Sequence, residues 1–329
     1  MRTWILMSSG VLGIALAFLQ GAAAQPASPH PLVTQAEYDR WQVELSNWGR
    51  WGKDDEMGTL NLVTAAKRKQ AAALVKDGVS VSLARDASRV MEVDNPCPIE
   101  WSMTMFTPGM VMDRVGYPCI HGPGTTHLDS FAHVFFNGKM WNGDSASLVT
   151  KEGGTAKNSI LTMKNGIVTR GVLYDIPRLK GVKYLEPGTR VFPEDLEAWE
   201  KKTGVKVGPG DALIFRWGKW ARRAEVGPTA GDLAAGLDNT CIPWLKKRDI
   251  GLLVWETAGY VPQPPGDISR SALHNFVLTM LGIHILDRAD LEALSEAAAA
   301  RNRWEFLLSV APLPIPNGTG SPVNPLAMF

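Results

Sequence analysis

The chain is short of cysteine, of charge imbalance and of any nucleophile signature. Its 329 residues hold three cysteines, Cys97, Cys119 and Cys241, with no CxxC or CxxH spacing. That excludes a zinc site built on thiolates. Three cysteines allow one disulfide at most within the chain, and the spacing does not choose the pair. Basic and acidic residues number 34 and 33, for a formal net charge of +1, and no basic stripe occurs. Nucleic acid is therefore excluded as a partner. No G-x-S-x-G elbow surrounds Ser130, the serine beside the densest group of histidines. There is no internal repeat. The apolar stretch Trp4–Gln20 falls short of the about 20 residues that a confident membrane span needs.

What is present begins with an address. Met1-Arg2 supplies a short positive region, the apolar stretch follows, and "GAAAQ" sets Ala22 and Ala24 in a small-x-small pattern. The expectation is a signal peptide over residues 1–24, cut after Ala24, with no membrane span left in the mature chain. Its location would be periplasmic or secreted. Residues 25–44 then form a leader and N-terminal extension.

Further along, "VSVSLARD" alternates with period two, and "GVLYDI", "DALIFRWG" and "IGLLVWET" are short apolar runs, so all four predict strands. Residues 62–78, 192–204, "IPWLKKRD" and "RADLEALSEAAAARN" predict helices. Thr64 can cap the first, Pro193 sits near the start of the second, and Gly78 and Gly204 end them. "ALHNFVLTMLGIHILD" reads as a helix running into a strand, and "WEFLLSVAPLPIPNGTG" as a strand followed by a proline-rich tail. Irregular alternation of this kind favours a mixed α/β domain over a regular doubly wound sheet.

The chemistry concentrates in "HGPGTTHLDSFAH", residues 121–133, which spends three of six histidines beside an aspartate. His127 and Asp129 are two apart, so an extended segment presents both on one face. His133 lies four beyond Asp129 and returns to the same place if the chain turns helical. A Gly-Pro-Gly turn can fold His121 back across them. Imidazoles with a carboxylate suit zinc or manganese and can leave one coordination position open. Downstream, His274 lies near a helix start and Asp287 at a strand end, so both can reach one pocket, although His274 taken alone reads as a structural histidine; His284 alternates with Ile283 and Ile285 and can face the other way. Glu256, at the end of "LLVWE", is either exposed or tied to a basic group. Trp101, Phe106, Tyr117, Phe131, Phe135 and Trp141 surround the histidine segment as core or as the wall of an aromatic pocket.

"TTHLDSFAHVFFNGKMWNG" resembles the cyclase family of metal-dependent hydrolases, the kynurenine formamidase and isatin hydrolase group, whose signature is His-x-Gly-Thr-His-x-Asp-x-Pro-x-His. "GKDDEMGTLNLVT", "RGVLYDIPRLKGVKYLEPGTRVFPEDLEAW" and "ALHNFVLTMLGIHILDRADLEAL" extend the likeness over roughly residues 45–315. The resemblance implies a single compact mixed-sheet α/β domain of the swivelling β/β/α type, with residues 316–329 as a C-terminal tail. It implies one or two divalent ions, zinc or manganese, held by His121, His127, Asp129, His274 and Asp287, with His133 as catalytic base. It departs from the signature at Pro123, where the first histidine would stand, at Phe131 in place of proline, and at Asp287 in place of glutamate. The implied activity is hydrolysis of an amide, formamide or cyclic amide C–N bond in a small aromatic or apolar substrate. A homodimer or homotetramer is implied as well. Two other readings use the same residues: a lyase or cyclase acting by proton abstraction, and a secreted binding protein that keeps the metal for structure.

Overall fold

The structure, a computed structural model, describes residues 30–230, 234–257 and 260–329. The expected signal peptide and the leader up to residue 29 lie outside the described residues. Leu32–Phe329 form one compact unit. No helix among the described residues is long and apolar enough to cross a membrane.

The apolar runs read as strands are central because they are apolar on both faces. Ile167–Asp175, Ala212–Arg216, Leu252–Trp255 and His284–Asp287 lie side by side and parallel. The last three are buried at every residue, as parallel strands covered on both sides should be. Antiparallel strands extend this core in both directions. On one side follow Glu305–Val310, Leu326–Met328 and Ser80–Ser82; on the other, His127–Asp129 and then Gly320–Pro322. The result is a nine-stranded mixed sheet within an α/β fold, the class the sequence pattern predicts.

Helices cover the sheet where the stop and cap signals place them. Thr64 caps Ala65–Ala72, which is shorter than the span read from the sequence and ends at Ala73 rather than Gly78. Pro193–Thr203 starts on its proline and ends at Gly204 in the left-handed conformation. Its Trp199 is fully buried and donates its indole N–H to the Leu173 carbonyl at 2.8 Å, which fixes the helix on the central strand. Ala272–Phe276 continues as a wide turn, Val277–Leu281, that stops at Gly282 with φ 61°. A Cβ at Gly282 would stand 2.5 Å from the Trp141 ring, so only glycine makes this stop.

Two regions depart from the sequence reading, and the cysteine pair it left open is settled. Residues 316–329, expected as a tail, supply two strands of the main sheet, and Phe329 is fully buried. Three-residue strands are too short to show a period, and the flanking prolines hid them. Trp101 and Phe106 neither enter the core nor wall the histidines; they sit exposed on a separate hairpin, while Phe131 and Trp141 are core. Cys97 and Cys119 are bridged, and Cys241 is buried and free. Closing a loop of that length contributes about 3 kcal/mol by the chain-entropy account.

Glu256 is neither exposed nor part of a metal cluster. Its carboxylate is fully buried, and one oxygen accepts the backbone N–H groups of Trp217, Gly218 and Lys219 at 2.6, 2.8 and 3.2 Å. Those are orphan donors at the start of the helix Lys219–Val226, so a side chain from a neighbouring strand caps it. Burial, helped by Glu292, pushes the Glu256 carboxyl up to about 8 from an ordinary 4.5. The folded state therefore keeps a proton that the unfolded chain has released. The stabilisation is whole below the unfolded value and is lost as pH rises through about 8. Glu256→Gln stays neutral throughout. Urea unfolding at a series of pH values should show wild type losing stability relative to this variant between about pH 5 and pH 8; parallel curves would contradict the assignment.

Candidate metal centre

The site is built on the pairing of two short strands. His127–Asp129 runs antiparallel to His284–Asp287, with His127 opposite Asp287 and Asp129 opposite Ile285. Directly opposed residues share a face, so His127, Asp129 and Asp287 project together while Leu128 and His284 turn to the other side. There His284 stacks on Phe131, with ring centroids 3.8 Å apart, and its Nδ1 lies 3.1 Å from the Asp129 carbonyl.

The flanking loops return two more histidines to this face. Gly122 N–H donates to the Cys119 carbonyl and Thr125 N–H to that of Gly122, a turn that folds His121 back until its Nδ1 lies 2.7 Å from Asp129 Oδ1. After Asp129 the chain turns at once, His133 N–H donating to the Ser130 carbonyl at 3.1 Å. The return therefore comes from a single tight turn, not from a helix. His133 then stacks on His121, with centroids 3.7 Å apart and planes 10° from parallel. Gly320, paired with Asp129 on the outer strand, leaves room for this. A Cβ there would come within 2.5 Å of the His121 ring. Ser130 donates to the Thr319 carbonyl at 2.9 Å, which places it in a loop contact and not in a nucleophile pair.

His274 arrives from the helix Ala272–Phe276. Its Nε2 lies 3.5 Å from Asp129 Oδ2 and 3.7 Å from Asp287 Oδ2, while His127 Nε2 lies 3.5 and 3.9 Å from the same two carboxylates. Potential ligand atoms of His127, Asp129 and Asp287 fall within 4.8 Å of one another, as do those of His121, Asp129 and His133. All six residues named from the sequence thus converge, with Asp129 common to both groups. Four of them, His127, Asp129, His274 and Asp287, are at most 3% exposed. His121 and His133 are partly exposed and form the open side.

Charge in this cluster is strongly biased. Burial resists ionisation of Asp129, yet His133, His121, His274 and His127 around it hold its carboxyl well below the usual range. Asp287 is lowered against burial by His274. Burial also opposes a charged His274, but Asp129 and Asp287 raise it to about 9. Burial alone dominates His127, which is lowered, and His133, which falls to about 4. Within this set Asp129 Oδ2 and both ring nitrogens of His274 are buried and make no hydrogen bond. Two carboxylates and a cluster of imidazoles, in which one carboxylate oxygen and both His274 nitrogens lack a hydrogen bond, match the donor set of a divalent cation.

Several supporting residues escaped the sequence reading. His127 Nδ1 is 2.7 Å from the Thr125 carbonyl, which turns Nε2 towards the carboxylates. Trp255 donates its indole N–H to Asp287 Oδ1. Thr319 Oγ1 lies 3.1 Å from His121 Nε2, and the Tyr260 ring lies 5.5 Å from that of His274. Thr125 stands two residues before its partner, but the others meet theirs from strands and loops distant in the chain, so no local pattern marks them. A cavity of about 410 Å³ lined by Arg85, Tyr117, Thr125 and Asn324 contains none of the six clustered residues. Trp255→Phe keeps the ring and removes the donor, so metal affinity should fall about 10–100-fold in a competition titration; unchanged affinity would remove Trp255 from the support of Asp287.

Comparison with known proteins follows the same lines. The model of the cyclase family, described as putative cyclase, matches residues 70–260, more than half of the chain, and stops short of His274 and Asp287. A crystal structure described as a novel cyclase is 28% identical, with a TM-score of 0.78, covering 87% of this chain and 100% of that one. Isatin hydrolase A from Labrenzia aggregata, bound to benzyl benzoate, is 20% identical at a TM-score of 0.52, over 79% of this chain and 95% of its own. An isatin hydrolase bound to the product analogue thioisatinate is 16% identical at 0.51, over 82% and 98%. The last two share the fold. No curated protein matches the chain in sequence. On the family match, the chain belongs to the cyclase family.

Proposed function

We propose that the protein is a metal-dependent hydrolase that cleaves the C–N bond of an amide, formamide or cyclic amide in a small aromatic or apolar substrate. The observation that carries this reading is the buried group of Asp129, His127, His274 and Asp287, with Asp129 Oδ2 and the His274 nitrogens making no hydrogen bond. These four residues would hold a divalent ion, zinc or manganese, and His121 would join them from the open side. The sharing of Asp129 between two ligand groups allows one ion or two. Such an ion, when bound, supplies a Lewis acid that polarises a carbonyl and makes water a better nucleophile near neutral pH.

The remaining work falls to the chain. Thr125 and Trp255 fix the orientation of His127 and Asp287. His133 is neutral at pH 7 and partly open, so its imidazole can take a proton from attacking water and return it to the leaving nitrogen. Its stacking on His121 holds the ring over the cluster. The isatin hydrolases that share the fold act on a cyclic amide, which supports the proposed bond type. The Cys97–Cys119 bridge suits an oxidising compartment, in keeping with a periplasmic or secreted location.

Elemental analysis of the purified protein should find zinc or manganese, with turnover on a panel of formamides, lactams and cyclic imides that is lost on chelation. His133→Ala should lower turnover about 10²–10⁴-fold while metal content stays the same. Turnover unchanged in that variant would overturn the role of His133. A protein without transition metal, and without activity on adding either ion, would overturn the whole reading. Incorporation of labelled water oxygen into product separates hydrolysis from a lyase reaction.

A further inference from the structure

Unsatisfied polarity also gathers two strands away from the metal centre. A cavity of about 30 Å³ lies past the carboxyl ends of Ala212–Arg216 and Leu252–Trp255, with Asp94, Trp217, Lys219, Arg223 and Thr257 on its wall. None of the six clustered residues borders it. Two donors on that wall have no acceptor. Trp217 is 1% exposed, and its indole N–H makes no hydrogen bond. Lys219 is half-buried at the start of the helix Lys219–Val226 and lies over the Trp220 ring at 4.6 Å. Its ammonium has no ion pair or hydrogen bond among the described residues.

The acids close by are engaged elsewhere. Arg223 holds Asp94 at 2.7 Å and also pairs with Glu92, and Arg222 holds Glu186 at 2.8 Å. The Glu256 carboxyl, pushed up to about 8, is uncharged at neutral pH. Arg85 shares the Trp220 ring with Lys219, 3.9 Å from its centre, and adds a second cation. Burial, together with Arg288, brings the Lys219 ammonium down to about 7 from an ordinary 10.5. A cation desolvated without a counter-ion behaves in this way.

The cavity lies on the same side of the sheet as the metal centre. Trp255 pairs in register with Phe215 and donates to Asp287, so these three share a face. Trp217 stacks on Phe215, with centroids 5.1 Å apart and planes 11° from parallel, and stays on that face. Ala212–Arg216 stands two strands from His284–Asp287, which sets the cavity on the order of 10 Å from Asp287. Trp220 fixes the helix there by donating its indole N–H to the Ala289 carbonyl at 2.6 Å.

We propose that this cavity is a subsite for a carboxylate of the substrate, which accepts from the Lys219 ammonium and the Trp217 indole while the scissile amide lies at the metal. The assignment rests on the hydrolase reading and narrows it to amides that carry an acid on the order of 10 Å from the scissile carbonyl. One ammonium, one indole donor and so small a space suit a monoanion. A phosphate, with up to two charges and more acceptor oxygens, would leave several of them unmatched.

Bromide, a small anion with an anomalous signal, tests the cavity without turnover. Crystals soaked in bromide should show a peak between Lys219 and Trp217 that Lys219→Met abolishes. Kinetics then separate a substrate carboxylate from a free anion, using formanilides in matched pairs that differ by a carboxylate on an alkyl arm. The metal-loaded wild type should prefer the acidic member. Lys219→Met should lower that preference, as a ratio of kcat/KM, at least about tenfold. In the wild type at constant ionic strength, bromide should compete with the acidic member and not with the neutral one, a result that needs no variant. No peak in the cavity, or one that survives in Lys219→Met, overturns the proposal. So does bound bromide with no preference for the acid, which leaves a site for a free anion only. Turnover of neither member defeats the hydrolase reading, and the peak then decides the anion site by itself.

Discussion

Asp129 is a carboxylate with no access to water, placed on a three-residue strand and faced by four imidazoles. A buried acid costs several kcal/mol unless cations or donors surround it. Much of the local architecture meets that demand. The glycine turn brings His121 back, the tight turn after Ser130 brings His133 back, and the helix Ala272–Phe276 delivers His274 from the far side. Yet one oxygen of Asp129 and both nitrogens of His274 remain without a hydrogen bond. A fold that encloses so much unsatisfied polarity is stable in the long run only if something else completes it, and a divalent ion has the charge and the ligand preference to do so.

The sheet makes this arrangement rigid. Its parallel centre is mostly apolar and closely packed, and the reactive groups stand where an antiparallel strand joins its edge. Asp287 belongs to both parts: it ends a central strand and pairs with His127. Being one methylene shorter than glutamate, it is held by Trp255 from the adjacent strand. The glycine at 320 does the complementary job on the outer side, leaving space that any side chain would take from His121.

Residues close in sequence were legible as a site because their geometry is local. A period of two put His127 and Asp129 on one face, and glycines announced the return of His121. His274 and Asp287 were legible only through resemblance to the cyclase family, because their approach depends on strand pairing across more than 140 residues. Thr319 and Trp255 gave no signal for the same reason. Among the strands, the long apolar runs showed themselves, whereas Gly320–Pro322 and Leu326–Met328 looked like tail, since three residues beside prolines carry no period. The aromatic residues around the histidines divided in a way that composition does not reveal: Phe131 and Trp141 belong to the core, Trp101 and Phe106 to an exposed ribbon.

The metal reading stands on Asp129 and the three buried groups around it, His127, His274 and Asp287. Anomalous diffraction from crystals of the manganese- or zinc-loaded protein, collected at the absorption edge of the ion, tests it most directly. The expected result is a peak bonded to His127, Asp129, His274 and Asp287 at about 2.0–2.2 Å, with any second peak shared through Asp129 on the side of His121. A loaded crystal with no peak among these residues, or with the ion held elsewhere on the chain, would contradict it.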